Sequence, residues 1–89
     1  MQEESLTKHG THDTYVIRTY NSNEDWITST RKDRISVLSG NGWVIQYQGD
    51  IRLNPLHVGE SFLIPRDTEY KIVNRDNIEE RLVLKVEFI

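Results

Sequence analysis

Gly59-Glu-Ser-Phe-Leu-Ile-Pro65-Arg-Asp-Thr-Glu-Tyr70-Lys-Ile-Val-Asn74 decides the reading of this chain. Ser61 to Ile64 is an apolar run of the buried-strand type, closed by Pro65, which has no N–H to give to a sheet ladder. Strand propensity resumes at Tyr70 and continues through Val73. Between the two lies a turn containing Asp67, a residue type that accepts a left-handed backbone more readily than most. Gly59 and Asn74 mark the outer limits of this strand-turn-strand unit.

The same style extends in both directions. Glu80 to Ile89 alternates, with Leu82, Leu84, Val86 and Phe88 on one face and Arg81, Val83, Lys85 and Glu87 on the other. Trp43 to Gln48 also alternates: Trp43, Ile45 and Tyr47 share one face, Val44, Gln46 and Gln48 the other. Arg34 to Leu38 reads as a strand that enters the turn Ser39-Gly-Asn-Gly42. Thr14 to Tyr20 and Trp26 to Thr30 have strand propensity, and Ile51 to Leu53 is read as a short strand broken by Asn54-Pro55. Met1 to Asp13 is polar without a sustained period and reads as an N-terminal arm, which leaves 14–89 as a single domain. Short period-2 segments with frequent turns predict an all-β sandwich or barrel.

Composition narrows the function classes. The 89 residues are 36% hydrophobic and 28% charged, an ordinary globular balance for one domain. A formal charge of −3 argues against a nucleic-acid partner or an anionic membrane surface. No apolar run approaches the length of a membrane span, and the N-terminus has no signal-type apolar segment. With no cysteine there is no disulfide, thiolate nucleophile or sulfur-ligated metal. Cytoplasmic residence is the expectation.

The interval pattern from Gly59 to Asn74 resembles the second signature of the cupin superfamily, G-x5-P-x-G-x2-H-x3-N. Gly59, Pro65 and Asn74 match it, whereas Asp67 stands at its second glycine and Tyr70 at its histidine. The words Val37-Leu-Ser-Gly-Asn-Gly42 and Leu82-Val-Leu-Lys-Val-Glu87 are similar to those of the small cupin domains of bifunctional mannose-6-phosphate isomerases. The resemblance spans about residues 26 to 88 and implies a small jelly-roll barrel, commonly dimeric, with a pocket in its mouth. Aligning the family's first signature on Gly40 places its carboxylate on Asp33. Its two histidines then fall on Ile27 and Ser29, or on Trp26 and Thr28. On that alignment all three imidazoles are missing, and one Asp with one phenol is no set for a divalent ion. No metal and no cofactor are expected.

The resemblance implies that Tyr70 and Asp33 point into the barrel mouth, with Arg66 near its rim. Tyr70, Ile35, Val37, Phe62, Ile64, Leu82 and Leu84 are expected inside. A carboxyl and a phenol in a partly dry pocket could serve as base and acid. The plainer reading has Tyr70 filling the lost metal volume and bonded to Asp33 or water. Arg66 could meet an anionic ligand, and Tyr47 belongs to an aromatic supply, with Trp26, Trp43, Tyr15 and Tyr20, suited to sugars or core packing. His9 and His12 read as a solvated tail, and His57 as outward between core-facing Leu56 and Val58. The expected function is a metal-free small-molecule binding or interaction module for a sugar or sugar-phosphate-like ligand. The alternative is a metal-independent sugar isomerase or epimerase using Tyr70 and Asp33. A homodimer burying at least about 1,000 Å² is also expected, with Tyr15 to Tyr20 contributing.

Overall fold

A computed structural model describes residues 1–5, 15–75 and 80–89. Nine antiparallel strands occupy them: β1 (Gln2–Ser5), β2 (Tyr15–Tyr20), β3 (Ile27–Thr28), β4 (Asp33–Ser39), β5 (Trp43–Tyr47), β6 (Asn54–Pro55), β7 (Ser61–Ile64), β8 (Glu69–Asn74) and β9 (Leu82–Phe88). They form two facing sheets, ordered β1-β2-β9-β4-β7 and β3-β8-β5-β6. No helix is present among the described residues. The fold is all-β, as the period-2 patterns require.

The core lies between the sheets, where alternate side chains from both meet. Val16, Val86, Ile35 and Phe62 form one row across the larger sheet; Arg18, Leu84 and Val37 form the next. Across the smaller sheet, Ile27, Tyr70 and Tyr47 share a row, and Ile72 pairs with Ile45 behind it. Ile35, Val37, Ile64, Tyr70, Leu82 and Leu84 are fully buried, and Phe62 packs partly buried against them. Each large aliphatic side chain removed from water this way contributes about 1.5–3 kcal/mol. Tyr20 and Trp43 close one end, their rings 6.3 Å apart and tilted, and Trp43 Nε1 donates to the Glu80 carbonyl at 2.9 Å.

Three expectations are corrected by the fold. Gln2–Ser5 belong to β1 rather than to a polar arm, since an edge strand needs backbone partners more than an apolar face. The strand expected at Ile51–Leu53 lies instead at Asn54–Pro55, where β6 is the edge of its sheet and proline is tolerated. Val58 is exposed, because Leu56 to Val58 is loop and alternation does not apply to it. His9 and His12 lie outside the described residues. The strand exchange expected of Tyr15 to Tyr20 meets an obstacle, since β2 already pairs with β1 on one side and β9 on the other.

The turn between β7 and β8 takes the form its residues suggested. Asp67 has φ 61°, left-handed, at the position where the resembling signature has glycine. Ser29 pins the turn: its Oγ donates to the Pro65 carbonyl at 2.6 Å and accepts from the Thr68 N–H at 3.1 Å. At the β4–β5 turn Gly40 has φ +111°, and a Cβ there would stand 2.5 Å from the Arg81 carbonyl oxygen. Gly59 has φ +89° but no neighbour within 4 Å of a Cβ. Gly40→Ala should therefore cost about 2–4 kcal/mol from strain plus overlap, and Gly59→Ala about 1 kcal/mol from strain alone. Equal losses in urea unfolding would show that the close approach at Gly40 is unimportant.

Candidate functional site

Alternation along β2 sends Val16, Arg18 and Tyr20 inward, and Arg18 is the residue with consequences. Its side chain is only 11% exposed. Arg18 Nη1 donates to the Tyr70 phenol oxygen at 3.0 Å, crossing from the larger sheet to the smaller. Arg18 Nε donates to Glu3 Oε2 at 2.7 Å, from the residue directly opposite on β1. Burial works against the guanidinium charge, but the hydrogen bond and charge of Glu3 oppose it, so the group is held firmly protonated. Nothing in the sequence reading singled out Arg18. Its inward parity was legible, but both faces of β2 carry apolar residues, so parity alone did not say which face is core.

Tyr70 is 1% exposed, at the centre of the Ile27–Tyr70–Tyr47 row. Burial pushes its phenol up, Arg18 pulls against that, and Asp33 adds to the rise. Tyr20 is pushed up to about 12, by burial first and Tyr70 next. Both phenols are neutral at ordinary pH.

Asp33 is 4% exposed, at the first position of β4. Its Oδ1 has no hydrogen-bond partner among the described residues. Burial pushes its carboxyl up despite the opposing pull of Arg18 and Arg31. Sequence reasoning placed Tyr70 and Asp33 together inside the barrel; the structure brings them within electrostatic reach but gives the phenol to Arg18. Arg66 is not part of this cluster. Its side chain is 75% exposed on the turn, with the Asp67 carboxylate 3.7 Å away.

Tyr47 connects this row to a cleft of about 470 Å³ at the opposite side of the barrel. The cleft opens where the edge strands β6 and β7 face one another. Ile45, Leu56, Tyr47 and Phe62 line its apolar part, and Asn54, His57 and Glu60 supply polar groups. Burial pushes the Tyr47 phenol up, and Tyr70 adds to it. His57 was read as merely outward; it is exposed, yet it borders this cleft because the 56–60 loop folds back beside β7.

The residues around Tyr70 do not fit a divalent cation. Among the described residues, no three His, Asp or Glu side chains gather in a way that could hold one. A guanidinium bonded to the central phenol would also repel it.

Solved structures of similar shape include cupins. A cupin-2 domain protein from Shewanella frigidimarina matches with TM-score 0.72 and 16% identity, over 99% of this chain and 80% of that one. A provisionally assigned mannose-6-phosphate isomerase from Ralstonia eutropha matches with TM-score 0.72 and 18% identity, over 98% and 84%. A Vibrio parahaemolyticus protein of unknown function matches with TM-score 0.74 and 16% identity, over 96% and 83%. No protein-family model matches the chain, and no curated protein matches it in sequence. The architecture is a small cupin-like β-barrel.

Two substitutions test the polar row. Tyr70→Phe leaves a buried Arg18 N–H without its acceptor and should cost about 1–3 kcal/mol in urea unfolding. A carboxyl that titrates higher folded than unfolded holds more protons in the native state. Its stability contribution is greatest below the unfolded value and is lost as pH rises through the folded one. Asp33→Asn abolishes that loss, so the stability difference should move in the variant's favour from about pH 3 to pH 7. A pH-independent difference would mean that Asp33 is not held up by burial.

Proposed function

We propose that the chain is a metal-free binding module for an uncharged, sugar-like small molecule, held in the cleft between β6 and β7. The observation that carries this reading is the cleft's chemistry. Tyr47 and Phe62 offer aromatic surface to the C–H face of a sugar ring, while Asn54, His57 and Glu60 offer hydrogen-bonding groups to its hydroxyls. No Lys or Arg is among the described residues that line it, and Glu60 with the overall charge of −3 opposes a phosphate. Of the two ligand types expected from the sequence, the neutral sugar is therefore favoured over the sugar phosphate. The metal-free part rests on Arg18, which places a fixed positive charge beside Tyr70.

One observation favours a second reading, a metal-independent isomerase or epimerase. Asp33 has a raised carboxyl and an unpartnered oxygen, which suits a group that takes and returns protons. Against it, Tyr70 is shut from solvent and its oxygen already accepts from Arg18.

Thermal unfolding of purified protein with a panel of sugars, sugar phosphates and nucleotide sugars separates the readings. A bound sugar at about 100 times its dissociation constant adds about 2.7 kcal/mol. Tyr47→Ala should abolish the shift, and chelator should leave the melting temperature unchanged. Product formation lost in Tyr70→Phe would favour the isomerase. A panel without any shift, or about one tightly held metal ion per chain, would overturn the binding reading.

A further inference from the structure

The cleft leaves unexplained why a barrel of this size keeps a guanidinium inside. A buried arginine is expensive unless its donors are met, and here one of its partners is a partly exposed carboxylate. Tyr70 is fixed in the opposite sheet, but Glu3 belongs to β1, the edge strand of its sheet. The Glu3 side chain is 42% exposed, so the carboxylate reaches Arg18 from solvent. It engages the guanidinium through one hydrogen bond, Nε to Oε2. A free carboxylate or phosphate can take two donors of a guanidinium side by side, a stronger arrangement.

β1 is also an edge strand. It pairs along one side only, over Gln2 to Ser5 opposite Thr19 to Val16. No residue of Gln2–Ser5 is apolar, so β1 is held by backbone pairing, the Glu3–Arg18 contact and the ion pair of the adjoining Met1 amino group with Glu24. The Glu3 end of this pair is partly exposed, so an anion from solvent can compete with it for the guanidinium.

We propose that Arg18 is an anion-binding residue which the chain's own β1 strand masks, Glu3 standing where the carboxylate or phosphate group of a small ligand would sit. The site is separate from the sugar-like cleft. The ligand's anionic oxygens meet Arg18, whose orientation Tyr70 already fixes, and β1 moves aside at its open edge.

Calorimetric titration with inorganic phosphate and, separately, acetate tests this at constant ionic strength in wild type, Glu3→Ala and Glu4→Ala. Glu4 is the neighbouring exposed residue on β1, so its variant carries the same change in net charge. Glu3→Ala should bind one anion per chain about tenfold tighter than wild type, because the competent state is no longer occupied by Glu3. Glu4→Ala should behave as wild type. The Arg18 Nε resonance of Glu3→Ala should move during the same titration, which locates the anion without an Arg18 variant that might not fold. A response to only one anion identifies phosphate or carboxylate as the ligand group. Equal affinities in the two variants, no saturable binding of either anion to Glu3→Ala, or saturation with an unmoved Arg18 resonance would each overturn the proposal.

Discussion

A guanidinium placed between two β-sheets must find partners there, and much of this molecule is arranged around that requirement. Arg18 leaves the larger sheet and donates to Tyr70 in the smaller one, so a polar contact crosses an otherwise apolar interior. Water competes poorly at such a site, so the contact is stronger than an exposed one, and losing one partner costs more than the bond itself contributes. Glu3 supplies the second partner and thereby gives β1 a reason to lie beside β2.

The interior is divided into three zones along the strands. Tyr20, Trp43 and Leu82 close one end with aromatic and aliphatic packing. The Arg18–Tyr70 contact crosses the middle of the barrel. The gap between β6 and β7 remains open as the cleft, and Tyr47 belongs both to the Tyr70 row and to the cleft wall. This arrangement separates the two chemistries that the sequence suggested might coincide. Asn54, His57 and Glu60 border the cleft, whereas Asp33 and Tyr70 are buried and Tyr70 is already bonded to Arg18.

The fold was legible from residue spacing to an unusual degree. Alternation in Leu82–Phe88 identified its inward face, whereas in Trp43–Tyr47 it left two choices open, and Trp43, Val44 and Ile45 are all buried. The unit from Gly59 to Asn74 was readable for a local reason: Gly59 and Asp67 adopt positive φ, which few residue types accept. Asp33 and Tyr70 were pointed into the barrel by the family resemblance, and both are buried. Arg18 and the cleft were not. β2 has apolar residues on both faces, and His57 reaches the cleft through a loop, where no period applies.

The amino-acid sequence by itself determined what depends on neighbours along the chain: strand periods, turn positions, the all-β class and the identity of most core residues. Tertiary structure alone decided which groups meet. Arg18 and Tyr70 are 52 residues apart, and Glu3 and Arg18 are 15 apart. Whether such groups touch depends on sheet order and register, which are global choices about strand pairing. The same holds for the edges left unpaired, and those edges open the cleft and put β1 at the rim of its sheet. Local propensity is a property of segments, but a site is a property of the distances between them.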